Sequence, residues 1–202
     1  MLRARAQSRI DKSLGDFSIL ASNCIGGFLY HYHGLRFASP TINLLISSPD
    51  LVKFALDLDG YLAKPLVFSK TDERYPVATL GDLTIKFVHY ETDEEAAEKW
   101  YERALRVNKE RIFVILTDRD GLSEEDLQRL DESTLANVLV LSSRNYPQHR
   151  CTVLMKRFEG QDCVGNSLIR SIFTGYTRAQ DAFDFPGWFN QEKGAGVKQY
   201  AK

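Results

Sequence analysis

Cysteine is scarce in this chain: Cys24, Cys151 and Cys163 are three in 202 residues, with no closely spaced pair. An odd number without metal-type spacing argues against a disulfide scaffold and a cysteine-based zinc knuckle, and fits a reducing compartment. Long apolar runs are also missing; none approaches the roughly 20 residues needed to cross a bilayer. The first residues are basic and then polar, and the apolar run at 17–21 is too short for a signal-peptide core, so a cytoplasmic protein is expected. Neither sign of charge prevails. With 26 Lys and Arg against 27 Asp and Glu, the net charge is -1, which gives no general attraction to nucleic acid or to an acidic membrane. No aromatic–basic nucleic-acid module stands out. There is no internal repeat, no low-complexity linker, no G-x-G-x-x-G and no phosphate loop of the G-x-x-x-x-G-K-[ST] kind.

What is present is material for one core. Hydrophobic residues make up 44% of the chain, near the globular average. The length suits one full core and falls slightly short of two. Leu2, Ala6, Ile10 and Leu14 recur at helical spacing, so residues 1–15 read as an amphipathic lead-in helix. Residues 17–21 read as a buried strand and 28–32 as a short helix. Residues 41–46 form a second strand candidate. Ser48 and Pro49 then mark a helix start, with Leu51, Phe54, Ala55 and Leu58 on its apolar face and Gly60 at its end. Residues 66–69 suit an edge strand. Gly81-Asp82 is a turn signal, followed by the period-two alternation of Leu83, Ile85, Phe87 and His89. Thr92 and Glu95 suit a capping box for a helix reaching about Val107; Ser123 and Asp126 suit another. Residues 111–116 and 138–141 are almost continuously apolar, as central parallel strands are. Residues 152–155 suit a strand and 164–173 a helix. The aromatic segment 183–189 should pack back on the body, with a loose polar tail beyond it.

The expectation is an α/β fold: a single layered domain with a mostly parallel central sheet flanked by helices, Rossmann-like in general architecture. The domain is taken as residues 16–190, after the lead-in at 1–15 and before the tail at 191–202.

Ligands of open α/β sheets bind beyond the carboxyl ends of the strands, and three polar clusters follow strands here. In the first, Asn23, Gly26 and Gly27 present backbone N–H groups to an anion, or merely form a tight turn. Cys24, at the positive end of the next helix, is either a nucleophile of lowered pKa or a packed thiol. His89 is a general base at a partly buried sheet rim, or a satisfied core histidine. Asp118 or Asp120 would complete a Cys-His-Asp set. Arg119 suits a phosphate, and the aspartates a sugar hydroxyl or a divalent ion; the same residues suit a plain turn and helix cap. His31 and His33, two apart, share a metal on a strand or loop but diverge on a helix. No protein metal site is assigned.

Residues 17–27 (FSILASNCIGG), Ser39-Pro40-Thr41, Tyr75-Pro76 with Leu80-Gly81-Asp82, His89-Tyr90, Trp100 with Arg103 and Asn108, and Asp118-Arg119-Asp120-Gly121 follow one another in this order. Taken together, these stretches resemble the DUF1919 family. Members of that family are often labelled exopolysaccharide or capsular polysaccharide biosynthesis proteins, so the resemblance implies surface-polysaccharide assembly without fixing a reaction. Three functions follow. The leading one is a transferase in capsular or exopolysaccharide biosynthesis that uses a nucleotide-linked or otherwise activated donor, with an Mg or Mn ion as the cofactor such a sugar donor would bring. The second is a cysteine-dependent acyltransferase or hydrolase using Cys24 and His89. The third is a non-catalytic glycan-binding or scaffold protein. All three expect a small-molecule or saccharide ligand and no nucleic acid. They leave room for an oligomer and for a peripheral partner among membrane-associated polysaccharide enzymes.

Overall fold

The computed structural model describes residues 9–170, 176–191 and 196–202. Two four-stranded sheets organise them. The first is wholly parallel, in the order β1 (Ser18–Ala21), β6 (Ile112–Thr117), β7 (Val138–Ser142) and β8 (Thr152–Leu154). The second is wholly antiparallel, in the order β2 (Leu45–Ile46), β5 (Leu83–Lys86), β4 (Val77–Leu80) and β3 (Leu66–Ser69). The helices are α1 (Ile25–His33), α2 (Ser48–Leu56), α3 (Leu58–Leu62), α4 (Asp93–Ala104), α5 (Glu124–Glu132), α6 (Arg178–Ala182) and α7 (Phe185–Phe189). This is the expected α/β architecture, a parallel sheet flanked by helices. The antiparallel sheet is an addition, inserted in the connection between β1 and β6.

The parallel strands are apolar on both faces because each face has its own core. Alternate residues divide cleanly between the two. Leu20, Val114, Leu116, Val138 and Val140 join a cluster with α2, α4 and the antiparallel sheet. Ile19, Phe113, Ile115, Leu139 and Leu141 join the cluster of α1 and the carboxyl-terminal aromatics. That alternation is the pleat of a sheet covered on both sides. Trp100 of α4 anchors the first core against Phe54 and Phe87; Trp188 of α7 anchors the second against Phe113 and Phe183. Each fully buried side chain of this size is worth about 2–3 kcal/mol of transfer free energy.

Capping follows the sequence closely. Thr92 accepts a bond from the Glu95 N–H, and Ser123 with Asp126 forms the complete reciprocal box. Ser47, rather than Ser48, caps α2, with Pro49 in the first turn. Gly60 does not end the helical stretch: Asp57 recaps the chain, and Gly60 lies inside α3. Gly81, at φ 65°, closes the β4–β5 hairpin.

Other expectations shift. The strand foreseen over 41–46 contracts to Leu45–Ile46, because Asn43 takes a left-handed φ of 59° and Thr41 accepts the Ala21 N–H instead of joining a ladder. The strand foreseen over 83–89 stops at Lys86. Of the lead-in helix, residues 1–8 lie outside the described residues, and the rest is a single 3-10 turn at Lys12–Leu14. Of the helix foreseen at 164–173, residues 164–170 are irregular and 171–173 lie outside the described residues; the Val164 N–H is spent on Asp118. Residues 197–202 are not loose: Val197 is buried, and Phe183 bridges Ala201. Among the described residues no helix is long and apolar enough to cross a membrane.

Candidate functional site

The two sheets meet at the carboxyl end of β1. The Ser22 N–H still donates to Ile115 O of β6, at 3.2 Å, while Ser22 O accepts the Ile46 N–H of β2, at 3.0 Å. Ser48, at the start of α2, donates its hydroxyl to Thr117 O at 2.8 Å. The strand order of the parallel sheet does not reverse, so there is no switch-point crevice; the site is this seam.

Asn23 turns the chain out of β1 by accepting the Ile25 N–H on its own Oδ1 at 3.0 Å. Cys24 follows at the N-cap of α1. The two glycines then let α1 approach its neighbours. A Cβ on Gly26 would sit 3.0 Å from the Ala21 Cβ, and one on Gly27 would overlap Asn43 Oδ1. Close packing therefore accounts for Gly26-Gly27 without a ligand. Their N–H groups, among the first of the helix, meet no protein acceptor among the described residues, as is usual at a helix start.

His89 comes to this helix start from the loop after β5. Its Nε2 lies 3.4 Å from Cys24 Sγ, a contact spanning 65 residues. The loop is held by its next residue. Tyr90 is buried and donates its hydroxyl to Ile42 O at 3.0 Å, and Arg103 of α4 bonds both that hydroxyl and Ile42 O. One network thus fixes the His89 loop and the 41–43 turn that packs on Gly27. His89 itself is exposed rather than tucked under a sheet rim, because the strand ends three residues before it.

Cys24 is half-buried, and burial pushes its thiol above the ordinary value, with its own backbone N–H pulling weakly the other way. Of the two readings open from the sequence, a thiol of lowered pKa and a packed thiol, the raised pKa agrees with the second. Burial disfavours the thiolate, and the direction of the Sγ–Nε2 hydrogen bond follows the His89 tautomer. Two residues before Cys24, the Ser22 hydroxyl is buried and has no hydrogen-bond partner among the described residues, a costly state for a polar group.

Asp118, of the third cluster, forms no hydrogen bond to this pair among the described residues. Asp118 turns into its own sheet. One carboxylate oxygen accepts from the Ser143 N–H and hydroxyl, both at 2.7 Å, and from the Ser142 hydroxyl at 3.2 Å. The other accepts the Val164 N–H at 2.7 Å. Asp118 thus ties β6 to β7 and to the 164 segment. Arg119 and Asp120 are exposed on the turn, Asp120 at φ 59°. No carboxylate bonds His89 among the described residues, so the pair is a dyad. Nor do any three His, Cys, Asp or Glu residues among the described ones gather to hold a metal ion; with Asp118 saturated by donors and Asp120 pointing outward, the Asp-x-Asp stretch does not fit Mg or Mn. His31 and His33 diverge on α1, one exposed and one buried. Cys151 is a core thiol pushed up to about 12 by burial and by Asp131.

The family described as a domain of unknown function, DUF1919, matches residues 2–190. The chain belongs to the DUF1919 family. An uncharacterized protein of Haemophilus influenzae (strain ATCC 51907 / DSM 11121 / KW20 / Rd) is similar to this DUF1919 protein, with 36% identity over 173 residues, 86% of this chain and 84% of that one. The sequence of this DUF1919 chain suggests a helix cap at Ser22 rather than a buried unpartnered hydroxyl, and does not mark Asn43 and Arg103 as supports of the pair. Nor does it mark the cations that follow β8.

Proposed function

We propose that the protein is a cysteine-dependent acyltransferase, with Cys24 as nucleophile and His89 as its base. The observation carrying this reading is the 3.4 Å approach of Sγ to Nε2 at the start of α1. His89 takes the thiol proton as Sγ adds to the acyl carbonyl carbon. The tetrahedral oxyanion lies near the free N–H groups of the first turn of α1, the electrostatic support such intermediates need. Collapse expels the leaving group, which takes the proton back from His89, and leaves an acyl thioester on Cys24. His89 then removes the proton of an acceptor hydroxyl, which attacks the thioester and frees the thiol. In the capsular or exopolysaccharide setting implied by the family resemblance, that hydroxyl belongs to a saccharide. With water as acceptor the same dyad is a hydrolase.

The exposure of His89 suits this role, since it leaves the base open to both leaving group and acceptor. Direct transfer from a nucleotide-linked sugar draws less support from this seam, because Asp118 is committed to neighbouring strands and Arg119 projects outward. The test uses 4-nitrophenyl acetate as the donor probe. Intact-mass spectrometry of the full chain should show one acetyl group, mapped to Cys24, absent in Cys24→Ser and formed about a hundredfold more slowly in His89→Ala. Acetylation of Cys163 at the same rate as Cys24 would sink the reading and leave the non-catalytic glycan-binding or scaffold role in its place.

A further inference from the structure

A cavity of about 450 Å³ opens beyond the carboxyl end of β8, between the 3-10 turn Lys156–Phe158, residues 169–170, α6 and the last residue. Five of its lining side chains are cationic: Lys156, Arg157, Arg170, Arg178 and Lys202. One, Asp181, is acidic. In a chain of net charge -1 this is a marked concentration of one sign. None of the five cations forms an ion pair among the described residues. Like charges around one concavity repel, and focus a positive field into it.

Three of the five cations, Arg170, Arg178 and Lys202, are also held in place. Arg170 lies over the Phe28 ring with its guanidinium carbon 5.8 Å from the centroid, and Arg178 lies over Phe158 at 5.8 Å. Arg178 is further fixed by a bond to Asn166 O at 3.3 Å, and Lys202 by one to Gln180 O at 2.7 Å. A guanidinium stacked by its face keeps edge N–H donors for a bidentate oxyanion. Met155 and the half-exposed Ile169 supply an apolar wall. The volume falls in the range of small-molecule sites and exceeds what one phosphate fills.

We propose that this cavity binds the diphosphate group of a small molecule, with Arg157, Arg170 and Arg178 gripping the phosphates and the Ile169 wall receiving the group attached to them. A nucleoside diphosphate and a prenyl diphosphate share that chemistry. The site stands independently of Cys24. Because Phe28 lies one helical turn past Cys24, Arg170 also connects the cavity to the helix of the dyad.

Calorimetric titration of the full chain at low salt tests this with three probes: inorganic pyrophosphate, uridine diphosphate and farnesyl diphosphate. Pyrophosphate should bind, and more weakly as salt rises. Arg157→Ala and Arg170→Ala, both at exposed positions, should each weaken it about tenfold with an unchanged melting temperature. Lys70→Ala, at an exposed position just past β3, and Cys24→Ser should leave it unchanged, so failure here is distinguishable from failure of the dyad. Tighter binding of uridine diphosphate than of farnesyl diphosphate identifies a nucleotide ligand, and the reverse order a prenyl one. No binding of any probe, or equal binding by the two arginine variants and the parent, overturns the assignment.

Discussion

Replacing Asp118 by Ala separates a strut from a catalyst. Its carboxylate accepts four bonds, from two backbone N–H groups and two serine hydroxyls, and three of them are 2.7 Å long. In Asp118→Ala the hydroxyls can turn elsewhere, but the N–H groups of Ser143 and Val164 cannot. Ser143 and Val164 are both buried, so water replaces the lost acceptor poorly. Stranding a buried donor costs about 1–3 kcal/mol. Two stranded donors, with Asp118 itself only partly buried, bring the expected loss to about 3–4 kcal/mol. Urea denaturation followed by tryptophan fluorescence reads this directly, since Trp100 and Trp188 sit in the two cores. Asp118→Asn should lose somewhat less, because its amide offers one acceptor oxygen. Stability within about 0.5 kcal/mol of the parent, combined with lost acyl transfer, would refute the assignment and return Asp118 to the chemistry.

Gly27→Ala should destabilise by about 1–3 kcal/mol, because its Cβ would meet Asn43 Oδ1. Adding Asn43→Gly, which removes that atom and suits the left-handed φ, should restore most of the loss in thermal melts; no rescue would place the clash elsewhere. Stability should also fall on the alkaline side. The folded thiols of Cys24 and Cys151 titrate above their ordinary value of 9.0, so above that pH the unfolded chain holds fewer protons and is favoured. The decline should begin near pH 9 and, for Cys151, continue to about 12. Urea midpoints from pH 8 to 10 check this; in Cys151→Ala the slope should be shallower, and an unchanged slope would contradict it.

Much of the fold was legible because its signals are local. Ser123 and Asp126 announce a helix start whatever surrounds them, and the unbroken apolar runs of β6 and β7 require cover on both faces. Partnership was not legible. The alternation at Leu83, Ile85 and Phe87 marks a strand equally well in a parallel or an antiparallel sheet, and the hairpin placed it in the latter. Asn43 broke its strand through one backbone angle that residue type only permits. The site divided in the same way. Cys24 and His89 were candidates on chemistry, but their contact depends on Tyr90 and Arg103 anchoring a distant loop. A carboxylate after a core strand reads alike whether it faces a ligand or the neighbouring strand, and Asp118 faces the strand. The cations around the β8 cavity come from positions 156 to 202 without a period or a motif, so only folding gathers them.

The dyad is tested most directly by the pH dependence of Cys24 alkylation with iodoacetamide, followed by peptide mass spectrometry in the parent and in His89→Ala. Burial disfavours the thiolate, so reactivity near neutral pH depends on an acceptor for the proton. Loss of the imidazole should slow Cys24 alkylation at pH 7 about tenfold or more and move its inflection to higher pH, with Cys163 unaffected. Superimposable Cys24 profiles in the two proteins would mean that His89 is a neighbour and not a base.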